Sequence, residues 1–252
     1  MKLQFASDLH LEFPENKEFL KRYPLLPGGD VLLLAGDIVP FAVLDKHADF
    51  FNYISDNFEI TYWIPGNHEY YSSDISERSG SLNDAIKNNV FLVNNITAVQ
   101  ENIKFIFSTL WTSISSRNQF EIRQRLSDFH AIKHNRKGLT PDHYKFLHEQ
   151  CRSFLNEEIS NAGHVKKVIV THHVPTFLNY PEKYKGDNLN EAFAVEMHDE
   201  IIKSNADLWI FGHHHCETRD FQIGSTTLTT NQLGYVKYNA CPGFDTKKII
   251  TV

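Results

Sequence analysis

Five short segments of this chain place carboxylates, imidazoles and a carboxamide where an apolar run stops. Phe5-Ala6-Ser7 leads to Asp8-Leu9-His10, and Leu34-Ala35-Gly36 leads to Asp37. Trp63-Ile64-Pro65-Gly66 leads to Asn67-His68-Glu69. Val170-Thr171 leads to His172-His173, and Ile210-Phe211-Gly212 to His213-His214-His215. Asp and His are ligands for borderline metals such as Zn, Mn and Fe, and a carboxylate can bridge two ions. Asp8 and His10, like His213 and His215, are two residues apart, so in extended backbone they point the same way. Asn67 offers a neutral carbonyl oxygen, which binds a metal without adding charge. The glycines before Asp37, Asn67 and His213 are expected to let the backbone turn sharply off a strand.

Two ions roughly 3.5–4 Å apart can activate a shared water and clamp the oxygens of a phosphoryl group. Phosphoryl transfer needs mainly positioning and charge neutralisation, so such a centre supplies most of the catalysis. His68 follows Asn67 directly and is expected at the edge of the metals. From there it would donate a proton to the leaving oxygen or hydrogen-bond the developing charge. Spacing alone does not choose which members of the two histidine clusters bind metal.

These residues must be delivered by strands. Open α/β sheets build their sites just beyond the carboxyl ends of strands, and here strand-like and helix-like stretches alternate. Strands are expected at Leu3–Ser7, Ile60–Ile64, Lys104–Ser108, Lys167–Thr171 and Leu208–Phe211. Val31–Ala35 is apolar throughout, as in a strand buried on both faces. Short strands follow at Thr218–Ile223, Thr226–Thr229 and Lys248–Val252. Thr140-Pro141-Asp142 supplies a cap, a proline at the first helical position and an acid in the first turn. The helix it opens carries Phe146, Leu147, Cys151, Phe154 and Leu155 as an apolar stripe for core packing. Ala42–Asp56 and Glu191–Ser204 are read as further helices, and the polar stretch 112–138 as a surface insertion.

Composition excludes several classes. The chain has 252 residues, within reach of one large α/β domain over 1–252. Its net charge of −6 lacks the basic footprint that a grip on duplex nucleic acid requires. Cys151, Cys216 and Cys241 form no CxxC pair, which suits a reducing compartment better than a disulfide framework. No apolar signal core follows Met1-Lys2, and no apolar run approaches the ~20 residues needed to span a bilayer. Cytoplasmic residence without a membrane partner is the expectation.

The ordered set Asp8-x-His10, Gly36-Asp37, Gly66-Asn67-His68-Glu69, His172 and Gly212-His213-x-His215 resembles the calcineurin-like metallophosphoesterase superfamily. Each motif is weak alone, but all five occur in order across residues 8 to 215. Ser7-Asp8-Leu9-His10-Leu11-Glu12, Asn67-His68-Glu69-Tyr70-Tyr71, Thr109-Leu110-Trp111-Thr112, Thr171-His172-His173-Val174-Pro175 and Asp207-Leu208-Trp209-Ile210 are similar to a bacterial branch of predicted phosphohydrolases. The resemblance implies an α/β fold: a two-sheet β sandwich flanked by helices in four αββα layers. It implies one metal on Asp8, His10, Asp37 and His215, and a second on Asp37, Asn67, His172 and His213, with Asp37 as the bridge. The ions implied are two divalent or trivalent metals, Mn, Fe or Zn. His68 would take the family's role beside the leaving group.

Departures from the pattern narrow the function. Protein Ser/Thr phosphatases of this superfamily carry an Asp-Arg pair shortly after the bridging Asp, but Gly36-Asp37-Ile38-Val39-Pro40-Phe41 has neither. The Asp that would orient His68 is therefore missing at that position. The lipid A pathway pyrophosphatases have Arg where His68 stands. The bacterial branch ends its last motif with Asn-Pro-Arg-Gly-Tyr, where this chain has Asn231-Gln232-Leu233-Gly234-Tyr235. The expectation is a metal-dependent hydrolase of small phosphomonoesters or phosphodiesters, acting through a metal-bridging hydroxide. The alternative is a nuclease on nucleic acid ends; a non-catalytic scaffold fits less well because no ligand has been lost. His173 is expected to line the pocket or pack behind it, His214 to be structural, and Asp128 is a candidate to approach the site from the insertion.

Overall fold

The computed structural model describes residues 1–160 and 166–252. In Val31–Ala35, Val31, Leu33 and Ala35 face one apolar cluster, and Leu32 and Leu34 face another. This alternation with a period of two is why the run has no polar position. The first cluster lies between two sheets; the second lies between a sheet and its helices. The same parity organises the rest of the molecule.

The strands are β1 (Lys2–Ala6), β2 (Val31–Ala35), β3 (Ile60–Ile64), β4 (Leu82–Lys87), β5 (Val90–Asn94), β6 (Ile96–Gln100) and β7 (Ile103–Ser108). They continue with the two-residue pair β8 (Lys133–His134) and β9 (Lys137–Gly138), then β10 (Lys166–Thr171), β11 (Leu208–Ile210), β12 (Phe221–Ile223), β13 (Thr226–Thr229) and β14 (Ile249–Thr251). The helices are α1 (Pro14–Arg22), α2 (Ala48–Asn57), α3 (Gln119–Arg125), α4 (Asp128–Ala131), α5 (Pro141–Ser160) and α6 (His198–Ser204). One six-stranded sheet runs β14-β1-β2-β3-β5-β4 and the other β12-β13-β11-β10-β7-β6. Each has a parallel centre and antiparallel outer strands.

Phe5, Leu33 and Ile64 of the first sheet meet Phe105, Phe107, Val170 and Ile210 of the second in the central core. Outside the first sheet, Leu34 and Trp63 pack on Leu20 of α1 and on Phe51 and Ile54 of α2. Outside the second, Ile169 and Trp209 pack on Leu155 and Ile159 of α5 and Ile201 of α6. The result is the four-layer αββα sandwich that the resemblance implied. No helix among the described residues is long and apolar enough to cross a membrane.

Several expected elements shift. The helix expected over 191–204 starts at His198. The backbone before it pairs instead with the segment after β10: Val174 N donates to Phe193 O at 3.2 Å and Val195 N to Val174 O at 3.0 Å. The stretch expected as helix from Ala42 opens as a 3₁₀ turn over Phe41–His47 before α2. Its three-residue period lets Phe41 and Leu44 share the face packed on the first sheet's helical core. The strand expected from Thr218 begins at Phe221, because the Thr218 hydroxyl engages His214 Nε2 at 3.2 Å. In α5, Leu147, Cys151, Leu155 and Ile159 form the buried stripe, and Phe146, one position off it, is 55% exposed. α1 and the strands β4 to β6 were not anticipated. Residues 112–138 form α3, α4 and the β8–β9 ribbon. They bury Ile114, Ile122, Leu126, Phe129 and Ile132 against Tyr70, Trp111 and Tyr144 in a fourth cluster.

Candidate metal centre

β1, β2 and β3 are mutually parallel, as are β10 and β11, and the residues following all five strands meet at one end of the sandwich. Asp8, His10, Asp37 and His215 offer ligand atoms that lie within 4.8 Å of one another. Asp37, His172 and His213 do the same, so Asp37 belongs to both groups. Asn67 Oδ1 joins the second group, 3.3 Å from His172 Nε2.

The backbone turns off the strands at the candidate ligands themselves. Asp8 (φ 55°), His10 (46°), Asp37 (55°), His213 (79°) and His215 (46°) all occupy the left-handed region, which is costly for residues with a Cβ and characteristic of functional sites. Of the three preceding glycines, Gly36 uses its conformational freedom, at φ 88°. Gly66 and Gly212 answer a different need. A Cβ at Gly66 would lie 2.6 Å from His172 Nε2 and press into Asp37 Oδ1, and one at Gly212 would lie 2.6 Å from Asp8 Oδ2. They are glycines because the ligand side chains pass where a methyl group would stand.

The donor set suits a cation. His172 Nδ1 donates to Ala35 O at 2.9 Å, which leaves the lone pair of a neutral ring on Nε2. That lone pair faces His213 Nδ1 at 3.1 Å, Asn67 Oδ1 at 3.3 Å and Asp37 Oδ1 at 3.4 Å. His10 repeats the arrangement: Nδ1 donates to Glu12 Oε1 at 3.3 Å, and Nε2 faces His215 Nε2 at 3.0 Å and Asp37 Oδ2 at 3.8 Å. Asp37 and Asn67 Oδ1 can only accept here, so the ring nitrogens that face them must carry a proton or share a cation with them. His213 Nε2 is also buried without a hydrogen-bond partner among the described residues. The carboxylates make this point attractive to positive charge: burial works to lower the His172 imidazole, but Asp37, its hydrogen bond and Asp8 push it up to about 10, so Nε2 holds a proton at neutral pH unless a cation takes that place. Burial works to raise Asp37, yet His172 and His68 hold it well below the usual carboxylate range.

Buried partners orient these groups. Asn67 Nδ2 donates to Asp128 Oδ1 at 2.8 Å, so its Oδ1 is the end turned towards His172. Asp128, on α4, is wholly buried and also accepts from Tyr71 at 2.8 Å and Tyr144 at 3.2 Å. The insertion thus reaches the site through this residue. Glu69 accepts four hydrogen bonds, from Asp37 N (2.9 Å), Gly66 N (2.6 Å), Ile38 N (2.7 Å) and Trp63 Nε1 (3.0 Å). Burial and the charge of Asp37 push its carboxyl up to about 8. All four partners are N–H groups, however, and a proton on either oxygen would face a donor, so the arrangement is that of a carboxylate.

His68 sits beside this cluster. Its backbone N–H donates to Asp37 Oδ1 at 2.9 Å, its ring stacks on Tyr71 at 4.0 Å, and its Nε2 lies 3.5 Å from the Tyr235 hydroxyl. Its Nδ1 donates to Glu12 Oε1 at 3.0 Å. Burial works to lower His68, but Asp37 and the bond to Glu12 push it up to about 9. Burial works to raise Glu12, and the bonds from His10 and His68 outweigh it and hold the carboxyl at about 2.

Asp37, Asn67, His68, His213 and His215 line a cavity of about 440 Å³. Tyr71, Phe193 and Tyr235 wall it, and Arg125 stands at its side. The guanidinium pairs with Asp187 through both nitrogens, at 3.0 and 3.1 Å. His173 packs behind the ligands: its Nδ1 donates to Thr109 O at 3.1 Å, and burial pushes the ring down to about 3, hence neutral. His214 borders the cavity, but its ring nitrogens are engaged by Gln232 and Thr218. Cys216 belongs to neither ligand group. Sequence reasoning assigned no role to Glu12, Tyr71, Arg125 or Tyr235. Glu12 alone had a signal, since it lies two residues beyond His10, the spacing that pairs His10 with Asp8.

Residues 1–217 match the family model described as calcineurin-like phosphoesterase. The chain is 33% identical over 264 residues to the uncharacterized protein L509 of Acanthamoeba polyphaga mimivirus, covering 92% of this chain and 91% of that protein. Among solved structures, it is similar to the phosphopantetheinyl hydrolase PptH from Mycobacterium tuberculosis. The TM-score is 0.68 at 16% identity, over 94% of this chain and 90% of that one, a likeness of fold.

Proposed function

The chain belongs to the calcineurin-like phosphoesterase family, and from that premise we propose that it hydrolyses small phosphomonoesters or phosphodiesters at a two-metal centre. One ion would be held by Asp8, His10, Asp37 and His215, the other by Asp37, Asn67, His172 and His213. The observation that carries this reading is the position of Asp37. Its Oδ2 faces His10 at 3.8 Å and its Oδ1 faces His172 at 3.4 Å, so one carboxylate serves two groups of ligands. Mn, Fe or Zn bound there would activate a water and neutralise the phosphoryl oxygens.

The side chains of the protein supply the rest. As water's oxygen bonds to phosphorus, the bond from phosphorus to the leaving oxygen breaks, and that oxygen needs a proton. His68 is the donor, through Nε2, the ring nitrogen not committed to Glu12. Tyr71, Phe193 and Tyr235 enclose the organic part of the ester. Arg125 is tied to Asp187. That tie, the net charge of −6 and the recessed ligands favour a small ester over duplex nucleic acid.

The test is turnover of p-nitrophenyl phosphate and of its bis-ester by Mn-loaded protein. Hydrolysis of at least one, abolished by chelator and restored by metal, is expected. Absence of turnover of both across Mn, Fe and Zn would overturn the reading.

A further inference from the structure

His68 lacks a carboxylate after Asp37, where Ile38, Val39 and Pro40 stand. A different residue occupies that role in space. Glu12 Oε1 accepts the Nδ1–H of His68 at 3.0 Å, from a segment 56 residues earlier in the chain. We propose that Glu12 is the positioning residue for His68, fixing the ring so that Nε2 faces the cavity and the leaving oxygen. This rests on the phosphoester reading above.

Three observations carry it. First, the Glu12 side chain is only 17% exposed, and Oε2 is buried with no hydrogen-bond partner among the described residues, so the carboxylate is committed through Oε1. A carboxylate is not kept in such a place by solvent; its interactions with the two imidazoles hold it there. Second, Tyr71 stacks on the His68 ring at 4.0 Å with 24° between planes. Stacking fixes the plane of the ring but allows a half-turn about the Cβ–Cγ bond, which exchanges Nδ1 with Cδ2, and the hydrogen bond to Glu12 selects one of the two. Third, the same Oε1 accepts from His10 Nδ1 at 3.3 Å. One oxygen therefore sets the rotation of a candidate metal ligand and of the proton donor together, and their ring centroids lie 4.4 Å apart.

His68 requires its partner most when the leaving group is a poor one. An alkoxide or phenoxide of high basicity must be protonated as it departs, whereas p-nitrophenolate leaves without help. The experiment compares Glu12→Gln with the parent on phenyl phosphate and p-nitrophenyl phosphate, both Mn-loaded. At saturating Mn, kcat is expected to fall about 10- to 100-fold on phenyl phosphate and only a few-fold on p-nitrophenyl phosphate, with the melting temperature little changed; because the same oxygen holds His10, metal affinity is expected to weaken and is read separately. In a His68→Ala background the same substitution is expected to cost nothing further, because residues acting as one unit are non-additive. An equal fall on both substrates at saturating Mn, or an undiminished effect in the His68→Ala background, would overturn the proposal. A third measurement needs no turnover: the ring nitrogen resonances of His68. They are expected to report an Nδ1–H held in a hydrogen bond in the parent and the loss of that bond in Glu12→Ala, which offers no acceptor, and unchanged resonances count against the proposal. An inactive parent with the expected resonances would defeat the phosphoester reading while leaving the Glu12–His68 pairing supported.

Discussion

Asn67 gives its side-chain N–H to Asp128 across 2.8 Å, and this bond decides which end of the amide meets the candidate metals. With Nδ2 committed to a fully buried carboxylate, Oδ1 turns to the point that His172, His213 and Asp37 share. Asp128→Asn keeps the shape but offers Asn67 an amide that can pair in either orientation. Partners that orient metal ligands typically matter by about 10- to 100-fold in metal affinity or activity. A loss of that size is expected, read as metal content during titration with a competing chelator, with the melting temperature little changed.

Gly66 presents a steric version of the same dependence. Alanine there would bring a methyl group to 2.6 Å from His172 Nε2 and into Asp37 Oδ1, two side chains that cannot withdraw without leaving the cluster. Gly66→Ala is expected to cost about 1–3 kcal/mol of stability, as overpacking does, and to lose metal binding. Gly138→Ala is the control. Its nearest neighbour would be Phe129 O at 3.8 Å, in ordinary contact, so urea unfolding should show almost no change.

Glu69 is expected to be equally intolerant for an electrostatic reason. Each of its oxygens accepts two N–H bonds, and Glu69→Gln turns an NH₂ group towards one pair of them. Two buried donors then lose their acceptor, at roughly 1–3 kcal/mol each. Chemical denaturation of the variant should show a fall of that order. A variant as stable as the parent would mean that the carboxyl is protonated in the native protein.

The central strands, and the candidate ligands at their ends, were legible in the sequence for one physical reason, although the choice within the two histidine clusters leaned on the resemblance. A strand buried on both faces is largely apolar, so Val31–Ala35, and Ile60–Ile64 despite its buried Thr61, announce themselves, and polar residues at their ends stand out. Glu12 and Asp128 were legible only in part. Each acts through a partner 56 or 61 residues away, and the chain between contains the turns that bring them together. The segment 193–197 was misread because its helical pattern yields to pairing with Val174, a contact that local propensity does not encode. Arg125 and Tyr235 enter the cavity wall from α3 and from the loop after β13, whose packing sets their place.

Away from the site, Asp74 ties the segment after His68 to the β8–β9 ribbon of the insertion. It accepts from the Ser76 hydroxyl at 2.6 Å and from the backbone N–H groups of Arg136 (2.6 Å), Asn135 (3.0 Å) and Ser76 (3.1 Å). Asn135 and Arg136 both have positive φ, at 52° and 63°, so this turn depends on an outside acceptor. The Ser76 hydroxyl, followed by the Arg136 N–H, holds the Asp74 carboxyl down to about 2, against 3.8 for an ordinary one. A depressed carboxylate contributes stability above its unfolded value and loses it as pH falls through the folded one. The contribution is therefore present at neutral pH and disappears between about pH 4 and pH 2. Asp74→Asn should unfold more readily than the parent at pH 7 and equally readily at pH 2, with the gap closing inside that window. Amide exchange at Asn135 and Arg136 should rise in the variant at neutral pH, and unchanged protection there would show that the turn holds without Asp74.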